Sequence, residues 1–270
     1  MTAVVTRARL DAELVRRGLA RSRQQAAELI EQGRVAVHGV PAGKPATVVD
    51  RDTPVVVQES DEREWASRGA HKLIGALDHF ADVAVDGARC LDAGASTGGF
   101  TDVLLDRGAA AVVAVDVGYG QLVWRLRADD RVRVHDRTNI RSVGPDDLGG
   151  PVDLTVADLS FISLRTVLPA LVACTAADGD LLPMVKPQFE VGRERLGAGG
   201  VVRDPVLRRA ALGEVADTAR DLGLVLRGAV ASPLPGPSGN VEYFLRLARD
   251  MSADDVGDAA LDRAVAEGPR

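Results

Sequence analysis

Two hydrophobic periods divide the chain. Near the start, Leu10, Leu14 and Val15 recur at helical spacing, and Gly18 stops that stretch. Ser22 is placed to cap a second helix with an apolar stripe of Ala26, Leu29 and Ile30, closed by Gly33. "RVAVHG" then alternates like a strand running into a turn. After residue 87 short apolar strands are interleaved with helical stretches. "ARCLDAG" is a strand ending in Asp92, followed by the glycine-rich "GASTGGF" and the helix "TDVLLDRGA". "AAVVAVDV" is a second strand ending in Asp116, and "RVRVHD", "VDLTVADLS", "DGDLLPMVKP" and "VEYFLRLAR" are further strands. This alternation predicts an α/β fold, a doubly wound sheet with its site at the strands' carboxyl ends. The tail "SADDVGDAALDRAVAEGPR" has apolar spacing at Val256, Ala259, Leu261 and Val265, a weak helix pattern.

Charge changes the picture of the first segment. The net charge is −6, but residues 1–51 hold nine basic and five acidic groups, +4, so the remainder carries −10. A basic head on an acidic body points to an anionic partner for the head. Arg21 and Arg23 flank the start of the second helix, where the helix dipole also favours phosphate. The start lacks the apolar core of a signal peptide, and uncharged stretches such as 166–177 fall short of the ~18–20 residues of a membrane span. A cytoplasmic protein is expected. The two cysteines, Cys90 and Cys174, sit in apolar surroundings and read as small core residues. The four histidines show no metal spacing, and no metal is expected.

The glycine loop reads Gly94-Ala95-Ser96-Thr97-Gly98-Gly99. It is not the dinucleotide GxGxxG, and no Gly-Lys-Ser/Thr follows to make it a P-loop. Asp116, about twenty residues after the loop, is placed to take two ribose hydroxyls. Asp92 would repel a pyrophosphate but could pair with a cation. A ligand with a ribose, an amino group and a sulfonium but no phosphate fits, and S-adenosylmethionine is the expected cofactor.

Lysine is scarce: three among 33 basic residues, Lys44, Lys72 and Lys186. Arginine supplies charge and hydrogen bonds but cannot release a proton in a protein, whereas a desolvated lysine can. Lys186 in "LLPMVKPQFEVG" is therefore a candidate general base. Asp158 ends the "LTVAD" strand, Lys186 ends "LLPMV" and Glu242 begins "VEYF", so the sheet can bring them to one cleft; Lys72 precedes the first strand of the body.

The head, "ARSRQQAAELIEQGRVAVHGVPAGKPATVV" with Lys44-Pro45 after the turn, resembles the S4 RNA-binding domain. That resemblance implies a grip on structured RNA through Arg9, Arg21, Arg23 and Lys44. "LDAGASTGGFTDVLLDRGAAAVVAVDVGYGQL", "VADLSFISL", "VKPQFEVG" and "PGPSGNVEYF" resemble the TlyA-type (hemolysin A) ribosomal RNA 2′-O-methyltransferases over about residues 7–250. "REWASRGAHKL" is similar to that family's linker, with Ala66 where valine is usual. The resemblance implies a small α+β S4 domain at 1–60, a linker at 61–69, an FtsJ-like class I methyltransferase domain of Rossmann-like fold at 70–250, and a tail at 251–270. It matches Lys72, Asp158, Lys186 and Glu242 to a Lys-Asp-Lys-Glu catalytic tetrad, with Lys186 as base, Lys72 as neighbouring cation and orienter, and the two acids holding geometry. For the cofactor we expect Asp92, Gly94, Ser96, Gly98, Gly99, Phe100, Asp116, Asp136, Asp158 and Phe161. The implied activity is methylation of a cytidine in ribosomal RNA, within one or both ribosomal subunits, without membrane or metal. A non-catalytic RNA-binding protein and a membrane-active haemolysin are the competing readings. The sequence is silent on oligomeric state.

Overall fold

The computed structural model describes residues 7–58, 63–236, 238–249 and 255–269. The expected boundary at 60/61 and the start of the tail, 251–254, lie outside these. The chain forms two compact units, Met1–Glu64 and Trp65–Arg270.

In the first unit β1 (Arg7–Arg9) leads directly into α1 (Leu10–Arg16), and α2 (Arg23–Glu31) follows. Ser22 caps α2 as expected, its hydroxyl accepting from the Gln25 amide at 3.1 Å. β2 (Val35–Val37) pairs with β3 (Val40–Pro41) and β5 (Val55–Val57), while β4 (Val48–Asp50) pairs with β1; all are antiparallel. Leu10, Leu14, Ala26, Leu29, Ile30, Val35 and Val49 make the core, so both sequence stripes face inward.

The second unit opens with α3 (Gly69–His79) and continues through β6 (Arg89–Ala93), α4 (Gly99–Asp106), β7 (Ala111–Val115), α5 (Trp124–Arg127) and β8 (Val132–His135). It proceeds through α6 (Pro145–Leu148), β9 (Val152–Ala157), α7 (Leu164–Cys174), β10 (Thr175–Val185) and α8 (Pro187–Glu190). α9 (Pro205–Asp221), β11 (Val225–Ala231), β12 (Tyr243–Ala248) and α10 (Gly257–Glu267) complete it. Seven strands form one sheet in the order β11-β12-β10-β9-β6-β7-β8. The pairs from β10 to β8 are parallel, and β12 runs against both neighbours.

Both faces are covered, which is why the strands read as continuous apolar runs. Cys90, Val112, Leu154, Met184 and Phe244 pack with α3 and α4 on one face. Leu91, Val113, Leu181, Val185, Tyr243 and Leu245 pack with α7, α9 and α10 on the other. The strand order reverses between β6 and β9, opening a crevice at their carboxyl ends.

Three features differ from the sequence reading. β11 was not anticipated, because Arg227 and Gly228 interrupt its apolar run. The strands near the site end at Val115, Ala157 and Val185, and β12 begins at Tyr243, so Asp116, Asp158, Lys186 and Glu242 sit just outside them. The tail folds into the second unit, and α10 buries Ala260, Leu261 and Ala264 rather than Val256 and Ala259, which are exposed.

Candidate active site

The loop after β6 folds back on β7, with the Gly94 amide donating to the Val115 carbonyl at 2.8 Å. Gly94 and Gly98 adopt φ of +90° and +100°, conformations that L side chains rarely reach. Gly94 has a second reason to be glycine, since a Cβ there would lie 2.5 Å from the Asp158 carbonyl oxygen. Ser96, at φ +48°, donates its amide to Asp116 Oδ2 at 2.8 Å, while the Gly118 amide donates to Oδ1 at 2.6 Å. A Cβ on Gly99 would lie 2.4 Å from Ser67 Oγ, so this glycine accommodates the segment before α3. Asp136 pairs with Arg127 at 2.6 Å, and that guanidinium holds its carboxyl below the usual range.

Asp92 is fully buried. Its Oδ2 accepts from the Thr101 amide (2.8 Å) and hydroxyl (2.6 Å), while Oδ1 has no hydrogen-bond partner among the described residues. Burial pushes its carboxyl up to about 7, against the two Thr101 hydrogen bonds and with help from Asp158 and Asp116 nearby. A buried acceptor beside a glycine loop and a second acid, Asp116, suits a ligand carrying a cation and a diol and disfavours a polyphosphate.

The four residues matched to a tetrad form two ion pairs. Lys72 reaches from α3 to Glu242, Nζ to Oε2 2.5 Å, with both side chains buried. Glu242 Oε1 has no hydrogen-bond partner among the described residues and lies against Gly236, where a Cβ would come within 2.5 Å of it. Lys186 Nζ lies 2.5 Å from Asp158 Oδ1, out of line for a hydrogen bond, and donates its hydrogen bond to Ser160 Oγ at 2.9 Å. Backbone register explains the convergence. Val185 pairs with Tyr243, placing Lys186 beside Glu242, and the Asp158 amide donates to the Ala93 carbonyl at 3.0 Å, tying Asp158 to the glycine loop.

The two phenylalanines separate. Phe100 is a core residue, 4% exposed and packed on Phe244, which sets it apart from the open crevice. Phe161 is 92% exposed at φ +63°, its ring 5.3 Å from that of Phe189. Sequence reasoning missed Thr101, Ser160 and Glu190. Glu190 is buried and accepts from Ser163 Oγ (2.5 Å) and the Leu164 amide (2.8 Å), so it clamps the loop that carries Asp158 and Ser160. Burial raises its carboxyl above the usual range despite these bonds. Ser160 and Glu190 both lie inside quoted motifs, but no periodicity reports where a side chain on a loop or a four-residue helix points.

In the first unit Arg9 and Arg23 both grip Asp11, a buried carboxylate, with shortest contacts of 2.9 Å each. Arg9 chiefly holds that carboxyl down at about 2. Arg21 bonds to Gln25 and approaches Glu64 at 3.5 Å, and Lys44 is exposed. The basic cluster therefore carries less net charge than its arginines alone imply.

A seven-stranded sheet with this order, a glycine loop after its first parallel strand and acids at successive strand ends define a class I methyltransferase fold. The sequence matches the FtsJ-like methyltransferase model over residues 65–249 and the S4 domain model over 8–55. It is 64% identical over 267 residues, 97% of this chain and 99% of the other, to the 16S/23S rRNA (cytidine-2′-O)-methyltransferase TlyA of Mycobacterium tuberculosis. It is 43% identical to a putative rRNA methyltransferase, YqxC, of Bacillus subtilis, over 88% of this chain and 85% of that one. The solved structure of a putative hemolysin from Streptococcus thermophilus superposes with a TM-score of 0.77 at 37% identity, covering 98% of this chain and 96% of that one. The chain belongs to the FtsJ-like methyltransferase family, in its TlyA group, which joins that domain to an S4 domain.

Proposed function

We propose that this protein transfers a methyl group from S-adenosylmethionine to the ribose 2′-oxygen of a cytidine in ribosomal RNA, with Lys186 as general base. The observation that carries this reading is the contact between base and cofactor loop. Asp158, ion-paired with Lys186, packs its own carbonyl against Gly94 and takes its place from Ala93. Asp92, Asp116 and the Gly94–Gly98 backbone would hold the cofactor, which supplies an electrophilic methyl group. The chain's residues then have two tasks: to position the ribose hydroxyl and to take its proton. Lys186 Nζ receives the proton as the new oxygen–carbon bond forms. Asp158 fixes the amine, and the buried Lys72–Glu242 pair holds a charged wall beside it. The exposed Phe161 offers an apolar face to the base.

The first unit supplies the grip on RNA through Arg9, Arg21, Arg23 and Lys44, and the enzyme works in the cytoplasm, where ribosomal subunits are. Both subunits are the expected substrates, by likeness to the M. tuberculosis relative over nearly its whole length. The described residues contain no helix long and apolar enough to cross a membrane and no group of side chains able to hold a metal. The test is to incubate the protein with radiolabelled S-adenosylmethionine and unmodified ribosomal subunits, mapping label by primer-extension stops at low nucleotide concentration. Label on a 2′-oxygen supports the reading. Its absence with intact cofactor binding favours a non-catalytic RNA-binding protein. Lys186→Arg should lose transfer yet retain cofactor, and full activity in that variant refutes the assignment of the base.

A further inference from the structure

Lys186 is 7% exposed, and its ammonium makes one hydrogen bond within the described residues, to Ser160 Oγ. Asp158 Oδ1 is nearer, at 2.5 Å, but outside hydrogen-bond geometry. Ser160 itself is exposed. Its hydroxyl therefore stands between a buried amine and open solvent. The loop that carries it is fixed at both ends. At one end the Asp158 amide is bonded to Ala93, and at the other Glu190 clamps Ser163 and Leu164. Glu190 lies on α8, which begins immediately after Lys186, and the Phe189 amide bonds to the Lys186 carbonyl at 2.8 Å. The Ser160–Lys186 contact is thus built into both strand-end segments.

We propose that Ser160 is the positioning residue of the base: it orients the Lys186 amine and conducts the captured proton to water. This rests on the reading of Lys186 as the base. With Ser160 Oγ holding one of the three tetrahedral directions on Nζ and keeping the amine out of line with Asp158 Oδ1, the lone pair of the neutral amine is left free to face the ribose hydroxyl. The hydroxyl oxygen forms its bond to the methyl carbon, the methyl–sulfur bond breaks with its electron pair going to sulfur, and the hydroxyl proton passes to Nζ. The ammonium then gives a proton to Ser160 Oγ as the serine's own hydroxyl proton passes to water, restoring both groups. Without the serine the ammonium can turn onto Asp158 and bond in line, which favours its charged form.

The experiment compares Ser160→Ala, Ser160→Thr and Lys186→Arg in single-turnover methylation of unmodified subunits across a pH series, with cofactor affinity measured by calorimetry. Ser160→Ala should slow transfer about tenfold, move the rising limb of the pH–rate profile to higher pH, and leave cofactor affinity unchanged. Ser160→Thr, which keeps the hydroxyl, should restore both rate and limb. A Ser160→Ala enzyme with the parent's rate and profile overturns the proposal, as does a slow one whose limb is unmoved and which threonine does not rescue. If Lys186→Arg is inactive in the same series, that failure belongs to Ser160 alone; if Lys186→Arg is fully active, the base assignment fails first.

Discussion

Gly94→Ala joins two effects at one atom. The residue sits at φ +90°, where an L side chain costs about 1–2 kcal/mol. The added Cβ would lie 2.5 Å from the Asp158 carbonyl oxygen and 3.1 Å from both the Asp158 carbonyl carbon and Leu159 Cδ2. The nearest neighbour is backbone, so β9's end must retreat by about 0.9 Å to reach an ordinary contact, an overpacking that costs roughly 1–3 kcal/mol. Together these give a loss of about 3 kcal/mol, or roughly 6–12 °C in Tm for a unit of this size. Gly223→Ala is the control: φ is +78° and nothing lies within 4 Å of its Cβ, so strain acts alone, about 1 kcal/mol. The displaced group carries Asp158 and hence Lys186, and a shift approaching 1 Å in a catalytic array costs about 100-fold in rate. Thermal unfolding and single-turnover methylation of both variants decide the matter. Equal Tm losses, with Gly94→Ala still turning over at the parent rate, would refute the close-contact argument.

Two further outcomes follow from buried charge. Asp92 has a folded-state pKa of about 7 against an ordinary 3.8, so the unfolded chain releases its proton first and folding stability declines as pH rises from about 4 to about 7. Asp92→Asn removes that slope, so its Tm relative to the parent should be higher at pH 8 than at pH 5; parallel pH profiles would contradict the burial of an ionisable group there. Lys72→Met strands the Glu242 carboxylate, which is 1% exposed, and should cost about 3–5 kcal/mol in urea unfolding. Lys72→Met/Glu242→Gln should recover most of it, and a double variant no more stable than Lys72→Met would count against the pairing.

The sequence carried the periodic features and lost the tertiary ones. Ser22 was legible as a cap because capping is a local contact, and the parallel strands were legible because burial on both faces writes continuous apolar runs. β11 escaped because an outer strand tolerates Arg227 and Gly228. The helical face of the tail was misread because alanine marks no side: Ala260 is buried and Ala259 exposed. Lys186 stood out through composition, but its separation from Lys72 into two ion pairs depends on β10–β12 register and on an α3 side chain crossing to Glu242. Nothing in the sequence pattern marks Asp11, and only the fold shows two candidate RNA-binding arginines closing on it. Phe100 and Phe161 were indistinguishable as letters, and one is core while the other stands in solvent.

β11 is the outermost strand on its side of the sheet, and an open strand edge is a template for pairing with another chain. The segment before α10 covers part of that edge. The Val256 amide donates to the Leu226 carbonyl at 2.9 Å, and Asp255 accepts from the Leu226 amide while ion-pairing with Arg220. α10 then lays Leu261 over the core, tethered to α9 by Arg209 through Asp258 and Asp262. The last helix and the segment before it thus shield part of an edge that another strand could otherwise pair with, as well as adding to the core. Loss of those residues should lower the melting point by uncovering the core and also open the Leu226 backbone to a neighbouring copy, so that turbidity on heating rises with protein concentration.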